Sequence, residues 1–346
     1  MVGNSVLNKA KYAENTDEWY TDYKAVETEL SHYSSQFCNK VILCNCDDPY
    51  ESAFSKYFLK NFNTLNLKKL ICTSYQESRV VEGSSFYKKV DIKNPVAFVM
   101  VVENVPFDIN TDSSEDKLFE FLDSANIVTT LNGDGDFRSE ECVDYLKEAD
   151  IVVTNPPFSK FTELFSLIVK HNKKYLLIGN QNAITYKEVF PYIKNGDAWI
   201  GYCFGDMKFR VPNDTEPRKT RFWIDESGQK WRSLGNAMWL TNLDNERRHK
   251  PLELTAVYDS VKYPRYDNYE AINVSRVVDI PMDYPGVMGV PLTYLKYHNE
   301  EQFEIIGEAN HGSDNEFDLF KPIIDGKEIF KRILIRNKKC VLKNEI

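Results

Sequence analysis

The sequence predicts an α/β fold in which helices cover a largely parallel sheet. Short β-branched apolar runs alternate with longer amphipathic stretches, and turn and capping residues separate them. The chain has 346 residues, more than one hydrophobic core usually holds, so we expect insertions or a second lobe. The predicted strands are 41–44, 69–73, 127–131, 151–154, 175–178, 199–202 and 238–240.

Capping residues and apolar spacing predict two of the helices. Ser139 is expected to cap a helix that carries Glu140 and Glu141 in its first turn, where acidic side chains interact favourably with the helix dipole. Ser159 is expected to cap a second helix. Its buried face is predicted from apolar side chains spaced three and four residues apart, namely Phe161, Leu164, Phe165 and Ile168.

The chain is expected to divide into a main domain and a C-terminal region. We place the main domain at 1–250, with insertions at about 80–126 and 205–235. The first insertion should hold a strand pair around 96–103 and an acidic helix near 115–125. Beyond residue 250 tyrosines, prolines and glycines interrupt the alternation, so 251–346 is predicted to be an irregular lobe.

Charge and composition exclude several classes of protein. The net charge is −9, and residues 1–150 hold 26 acidic against 15 basic side chains, which argues against bulk coating of nucleic acid. The longest apolar run, 96–102, is far shorter than the roughly 20 residues of a membrane span, and no secretory signal is apparent at the N-terminus. Seven cysteines, an odd number, fit reduced cytosolic thiols. Cys44 and Cys46 lack further ligands at suitable spacing, so no metal is predicted.

The segment 150–158 carries the most specific chemical signal. An apolar strand leads directly into Asn155-Pro156-Pro157-Phe158, and ligands of open α/β sheets bind at the carboxyl ends of strands. The prolines stiffen the turn and remove two backbone donors, leaving the Asn155 side-chain oxygen and the Pro156 carbonyl as acceptors. Two fixed acceptors suit the N–H groups of an exocyclic amine, and Phe158 offers a flat face to a heteroaromatic ring. The alternative is a rigid turn with an aromatic plug.

This motif and its strand resemble the catalytic motif of S-adenosylmethionine-dependent adenine-N6 DNA methyltransferases. Further segments resemble the EcoRI modification methylase family, in the same order over nearly the whole chain, and such co-linear matching is more specific than any one motif. The resemblance implies a Rossmann-like class I methyltransferase sheet, double-stranded DNA as substrate and methyl transfer to a flipped adenine. The matching segments are 17–21, 44–49, 133–139, 155–159, 184–190, 239–243, 266–269 and 286–291.

The resemblance also implies roles for individual residues. Asn155, Pro156, Pro157 and Phe158 would form the catalytic pocket. The implied S-adenosylmethionine contacts are Tyr20, Thr21, Asn45, Asp47, Asp48, Pro49, Asp134, Asp136 and Phe137. Target recognition is expected mainly in the C-terminal part, and the candidate DNA contacts are Arg210, Arg218, Lys219, Arg221, Arg247, Arg248 and Lys250.

Several of these residues also have a purely structural interpretation. Tyr20 could simply cover the sheet, the aspartates of 133–137 could be solvated side chains of a turn, and the basic clusters could be solvated surface. Loop 45–49 also departs from the wider superfamily, because no glycine occurs between Gly3 and Gly83 to allow a close backbone approach. We expect Asp47 or Asp48 to take the role of the acidic residue that holds the ribose hydroxyls.

The resemblance further implies a bacterial or phage-encoded cytoplasmic enzyme that acts as a monomer on each half-site. A cognate restriction endonuclease would act on the same site without binding the protein, and GAATTC is the candidate site. Alternatives remain open: a methyltransferase of RNA or of a protein amide, a cytosine-N4 methyltransferase, or a catalytically silent DNA-binding protein. Cytosine-N4 methylation ranks low, because serine more often replaces Asn155 in those enzymes.

Overall fold

The computed structural model describes residues 19–76, 96–106, 115–124, 127–309 and 321–340. Much of the predicted first insertion and the first two residues of the matching segment 17–21 lie outside these ranges. The chain packs as two units. The first comprises Met1–Gln181 and Cys203–Leu243, and the second comprises Asn182–Tyr202 and Asp244–Ile346.

The regular elements of the described residues follow in chain order. The strands are β1 (Tyr20–Thr21), β2 (Val41–Asn45), β3 (Lys69–Thr73), β4 (Phe98–Val102), β5 (Val128–Thr130), β6 (Ile151–Thr154), β7 (Lys174–Asn180), β8 (Trp199–Arg210), β9 (Phe222–Ile224), β10 (Lys230–Thr241), β11 (Ile272–Asn273), β12 (Met288–Val290), β13 (Phe303–Ala309), β14 (Ile323–Ile324), β15 (Lys327–Glu328) and β16 (Arg332–Asn337). The α-helices are α1 (Tyr23–Leu30), α2 (Ser34–Phe37), α3 (Ala53–Lys60), α4 (Glu115–Ser124), α5 (Glu140–Glu148), α6 (Phe161–Lys170) and α7 (Phe190–Lys194). Short 3₁₀ helices cover Ser31–Tyr33, Phe158–Lys160, Gln181–Thr185, Glu246–His249, Val277–Asp279 and Leu292–Tyr297.

Ten strands of the described residues form one sheet, in the order β1-β8-β10-β7-β6-β2-β3-β4-β5, with β9 paired to β10. The central strands β7, β6, β2 and β3 are parallel to one another. Strands β4 and β10 run antiparallel to their neighbours β3 and β7, and β5 runs antiparallel to β4. The Rossmann-like α/β prediction is confirmed, whereas the largely parallel sheet is right only for the centre.

The central strands are parallel because helical crossovers connect them and cover their faces. Every residue of β2 and β6 is buried, which explains why these strands appear in the sequence as continuous apolar runs. The strand pair predicted around 96–103 is the single strand β4 in the described residues, and the acidic helix is confirmed as α4. Residues 205–235 contribute half of each of the long strands β8 and β10 to the sheet, together with β9.

The two helix-cap predictions have different outcomes. Ser139 caps α5 as predicted, since its hydroxyl accepts the Cys142 backbone N–H at 3.3 Å. Ser159 does not cap α6, because it lies inside the 3₁₀ turn Phe158–Lys160, and the residue preceding the helix is Lys160. Pro157 is extended, and its carbonyl accepts the Lys160 N–H at 2.9 Å, so the turn runs directly into the helix. The predicted apolar face of α6 is buried.

The second unit contains a four-stranded sheet in the order β11-β12-β16-β13. Strand β16 runs antiparallel to both β12 and β13, and β11 is parallel to β12. Its core includes Ile272, Val290 and Ile335, which are fully buried. None of the helices in the described part of the chain combines the length and apolarity needed to cross a bilayer.

Gly135 fixes the loop between β5 and α5 against the end of β3. Its φ of +77° is left-handed, and a Cβ atom there would lie 2.0 Å from the Ser74 carbonyl oxygen. Gly133, in the same loop, would place a Cβ in open space. The loop therefore needs glycine at one of these positions only.

We expect Gly135→Ala to lower the free energy of unfolding by about 2 kcal/mol or more, because it adds left-handed strain and a backbone clash. Gly133→Ala is the matched control and should change it by less than about 0.5 kcal/mol. Urea unfolding of both variants measures the difference, and equal stabilities would contradict this account of the loop.

Candidate functional site

The predicted catalytic motif, Asn155-Pro156-Pro157-Phe158, and the predicted cofactor loop, 45–49, begin at the same edge of the sheet. Asn45 ends β2 and lies opposite Thr73, the last residue of β3. Thr154 ends β6, and its hydroxyl contacts the Asn45 carbonyl oxygen. Loop 45–49 and Asn155 therefore leave neighbouring strands together, as the carboxyl ends of parallel strands require.

Asp47 links loop 45–49 to the segment Asn155-Pro156-Pro157-Phe158. Its buried carboxylate accepts the Ser52 hydroxyl at 2.7 Å and lies 2.6 Å from the Thr154 hydroxyl. The backbone N–H of Asn155 also donates to it. Burial raises the pKa of Asp47 to about 7, although these hydrogen bonds act in the opposite direction. Ser52 also caps α3. The Asp47 carboxylate therefore contacts the end of β6, the residue that starts α3 and the backbone of Asn155.

Cys46 takes the backbone conformation that a glycine would usually supply. Its φ is +66°, in the left-handed region, and Asp47 then donates its N–H to the Thr73 carbonyl at 2.9 Å. The Ser55 hydroxyl binds the Pro49 carbonyl at 2.6 Å and fixes the far end of the loop. A close approach to the sheet edge is thus achieved without glycine.

Asp48 differs from Asp47 in keeping a free acceptor. One carboxylate oxygen accepts the backbone N–H groups of Tyr50 and Glu51, at 2.8 and 2.9 Å. The other oxygen is buried and has no hydrogen-bond partner among the described residues. Burial raises the pKa of Asp48 to about 6. Of the two aspartates, Asp48 is therefore the one whose carboxylate can accept a hydrogen bond from a ligand.

Several other buried polar atoms belong to the same group of strand ends and loops. Strand β1 lies beside residues 45–51, because Arg210 stacks on the Tyr20 ring and also pairs with Glu51. Burial and the charge of Asp48 raise the pKa of Tyr20 well above its usual value. Buried polar atoms without partners are rare in folded proteins, so such a group indicates a ligand. Those without a partner in the described residues are Thr21 Oγ1, Asn45 Oδ1, Asp48 Oδ2, Thr73 Oγ1 and Asn155 Oδ1.

The Asn155 side chain is held in one orientation. Its Nδ2 donates to the Trp19 carbonyl oxygen at 2.6 Å. A carbonyl oxygen can only accept, so this contact assigns the amide nitrogen to Trp19 and turns Oδ1 away from it. Because Oδ1 is buried and unpaired, it can accept an incoming N–H group.

Three aromatic rings surround this position. Phe158 lies edge-on to both Trp19 and Phe209, with centroid separations of 6.3 Å in each case. Trp19 and Phe209 are 5.6 Å apart. Phe158 itself is only partly buried, which leaves ring surface for a ligand. The acceptor of Asn155 thus stands beside aromatic surface, as a flat aminated ring would require.

Residues 134–137 contribute less to an open site. The Asp134 carbonyl accepts the Gln76 N–H at 2.8 Å, which ties this loop to the end of β3. Asp136 is ion-paired with Arg138 at 2.5 Å, which lowers its pKa, and Phe137 is buried. Their side chains are largely engaged in the turn itself.

The candidate DNA contacts of the first unit have different surroundings. Arg210, the last residue of β8, binds Glu51 at 2.7 Å and lies over the Tyr20 ring, so its charge is already compensated. Arg221 pairs with Asp206 at 2.6 Å. Arg218 and Lys219 are exposed on the loop between β8 and β9.

The remaining candidates lie in the second unit. Arg247 stacks on Tyr202 and donates to its carbonyl at 3.1 Å. Arg248 lies 3.6 Å from the Trp199 ring centroid and pairs with Glu300, so its charge is already compensated. Lys250 is exposed.

The sequence did not single out Trp19, Thr73 or Arg232 as site residues. Trp19 acts through its carbonyl, which no side-chain pattern can reveal. Arg232 lies within a strand of mixed polarity and gave no signal at all. Among the described residues, no cluster of His, Cys, Asp or Glu side chains could hold a metal ion.

Comparisons with known proteins give a consistent result. The family described as "Adenine-specific methyltransferase EcoRI" matches residues 6–338. The chain is 46% identical over 340 residues to the type II methyltransferase M.EcoRI of Escherichia coli, covering 97% of each protein. It is 37% identical to a type II methyltransferase of Mycoplasma genitalium, over 87% of this chain and 85% of that protein. It is 34% identical to M.MpnI of Mycoplasma pneumoniae, over 87% of this chain and 84% of that protein.

The left-handed conformation of Cys46 gives a stability prediction. Cys46→Val should lower the free energy of unfolding by about 1–2 kcal/mol, because a β-branched side chain is strained at this φ. Cys46→Gly is the control and should stay within about 1 kcal/mol of the wild type, since glycine adopts this conformation freely. Denaturant unfolding compares the two, and a valine variant as stable as the glycine variant would refute the argument.

The raised pKa of Asp48 gives a pH prediction. The folded protein holds this proton up to about pH 6, whereas the unfolded chain releases it near pH 4. Stability is therefore lost as pH rises through this window. Asp48→Asn does not titrate, so the wild type should lose up to about 3 kcal/mol relative to this variant between about pH 4 and pH 6. Unfolding free energies across the range test this, and a pH-independent difference would count against it.

Proposed function

This chain belongs to the EcoRI family of adenine-specific methyltransferases, and we propose that it methylates adenine N6 in DNA through Asn155-Pro156-Pro157-Phe158. The observation that carries the assignment of these residues is the buried, unpaired Asn155 Oδ1 beside the aromatic rings. The target amine lies inside a duplex, so the base must leave the stack to reach this pocket.

The motif would act by positioning the amine. Asn155 Oδ1 and the Pro156 carbonyl accept the two N–H groups of N6, which fixes the nitrogen and favours lone-pair character on it. Phe158 stacks against the base and limits its rotation. The chain needs no strong base for this step, because a sulfonium leaving group makes the methyl group strongly electrophilic. The bond from methyl to sulfur breaks as the bond to N6 forms, and the proton that N6 then carries in excess passes to water. The contribution of the protein is to hold the nitrogen in line with the methyl group.

The unpaired atoms at the sheet edge fit S-adenosylmethionine as cofactor. This molecule supplies a methyl group on a sulfonium centre, and its ammonium, ribose hydroxyls and adenine amine are hydrogen-bond donors. The buried acceptors Asn45 Oδ1 and Asp48 Oδ2 match such donors. We assign the ribose hydroxyls to Asp48, because the oxygens of Asp47 already accept hydrogen bonds from Ser52 and Thr154.

We further propose the setting in which the enzyme works. Its substrate is double-stranded DNA in a bacterial or phage-infected cytoplasm, and residues 251–346 contribute to target recognition. One adenine is modified on each strand, so a monomer can treat the two half-sites in turn. GAATTC is the candidate sequence, and a cognate endonuclease would act on the same site without binding this protein.

The deciding experiment is mass spectrometry of nucleosides from unmethylated plasmid DNA incubated with the protein and S-adenosylmethionine. The wild type should yield N6-methyladenine. Asn155→Ala should lower the rate by about 100-fold or more, because it removes an acceptor for the reacting amine. It should keep its affinity for S-adenosylhomocysteine, measured by calorimetry. Asn195→Ala, at the exposed end of α7, is the matched control and should retain full activity.

The alternatives predict other results. Formation of methylated cytosine would make cytosine the acceptor. Methyl transfer only to ribosomal RNA or to a protein amide would make that RNA or amide the acceptor. Cofactor binding without any methyl transfer would leave a DNA-binding role. Unchanged N6-methyladenine formation in Asn155→Ala would remove Asn155 from the mechanism. Sequencing of the methylated plasmid then tests GAATTC directly.

A further inference from the structure

Arg232 is a buried cation for which no described residue supplies a counter-charge. It lies on β10 opposite Phe222 of β9, and only 9% of its surface is exposed. Within the described residues it forms no ion pair, and its Nε has no hydrogen-bond partner. Burying an unpaired charge is costly, so such a residue is expected where a ligand brings the opposite charge.

Three other arginines of the first unit show the usual arrangement, in which a carboxylate balances the charge. Arg138, Arg210 and Arg221 each contact a carboxylate, on Asp136, Glu51 and Asp206 respectively. Arg232 instead experiences the positive charge of Arg218: burial, and then that charge, lower the pKa of the Arg232 guanidinium to about 10. Two neighbouring cations without an acidic partner in the described residues form a site for an anion.

Arg232 is also connected to the amine-binding position. Its guanidinium lies over the Trp19 ring, 4.5 Å from the centroid. The same ring contacts Phe158, and the carbonyl of Trp19 holds the Asn155 amide. Trp19 therefore contacts both the proposed base pocket and the unpaired guanidinium.

We propose that Arg232, together with Arg218, binds a phosphodiester of the DNA strand next to the flipped adenine. This inference rests on the proposed function and adds a binding site to it. A guanidinium matches two phosphate oxygens with its planar fork, and the Trp19 face holds that plane in one orientation. Arg218 and Lys219 lie on the exposed loop 211–221, from which they can approach the backbone of a duplex.

The carboxylate of the cofactor is the other anion that could reach this position. The two anions can be distinguished by experiment, because the phosphodiester belongs to DNA and the carboxylate belongs to S-adenosylmethionine. The surroundings favour DNA, because the second cation lies on an exposed loop, whereas the unpaired atoms of loop 45–48 are acceptors suited to cofactor donors.

The test measures binding of a fluorescein-labelled DNA fragment, with S-adenosylhomocysteine present. The fragment is unmethylated and has the sequence of a plasmid region that the wild type methylates. Arg232→Met should weaken DNA binding by about 10-fold or more, and should reduce the slope of log affinity against log salt by about 1. The affinity for S-adenosylhomocysteine should not change. The melting temperature without DNA should not fall, because the variant removes an unpaired buried charge.

Two further variants control for folding and for loss of positive charge. Arg218→Gln changes an exposed side chain, so it should fold normally and reduce the salt slope by about 1 as well. Lys147→Met removes an exposed cation that pairs with Asp144 on α5, outside the proposed binding regions, and it should leave DNA affinity and slope unchanged. Arg232→Lys keeps the charge and should restore part of the slope, but not the full affinity.

Specific results would overturn the proposal. Wild-type DNA affinity and slope in both Arg232→Met and Arg218→Gln would exclude a phosphate contact. Loss of S-adenosylhomocysteine binding with intact DNA binding would assign the site to the cofactor carboxylate. A lower melting temperature with intact DNA binding would make Arg232 structural. If Asn155→Ala abolishes methylation while Arg232→Met binds DNA normally, only this inference fails and the proposed function stands.

Discussion

The buried contact between Thr154 and Asp47 is the interaction on which the rest of the site depends. It joins the end of β6 to the loop after β2, and Thr154 itself is fully buried. Because Asp47 also accepts from Ser52 and from the Asn155 backbone, its carboxylate fixes loop 45–49 relative to Asn155-Pro156-Pro157-Phe158. Methyl transfer needs nitrogen, methyl and sulfur in line, so a rigid link between the two halves of the site is a requirement of the chemistry.

Several buried polar groups of the same region lower the stability of the free protein. Unpaired acceptors on Asn45, Asp48 and Asn155 are costly in the free protein, because they are buried away from water. Arg232 adds a buried positive charge that lies over the Trp19 ring. In the proposed complexes, cofactor or DNA would give each of these groups a partner, so complex formation would recover the free energy that their burial costs the free protein.

The glycine-free loop shows that a backbone conformation can be kept when the residue that usually provides it is missing. Cys46 adopts the left-handed φ, and hydrogen bonds from Asp47 to Thr73 and from Ser55 to Pro49 hold the turn on both sides. Such strain persists only where the surroundings determine the conformation. A departure from a glycine pattern is therefore weak evidence against a binding loop.

The sequence by itself determined the central strands, the helix cap at Ser139 and the position of Asn155-Pro156-Pro157-Phe158 at a strand end. These features follow from local patterns of apolar, capping and turn residues. It left open which aspartate of the loop has a free oxygen, how Asn155 is oriented, and that Arg232 is buried without a counter-charge. The prediction of a cap at Ser159 was wrong, because this residue lies inside the 3₁₀ turn that follows the two prolines and leads directly into the helix. The tertiary structure decided these points, since Asp47 and Thr154 are 107 positions apart, and Asn155 and Trp19 are 136 apart. Whether a buried polar atom has a partner depends on such distant contacts, which no local pattern specifies.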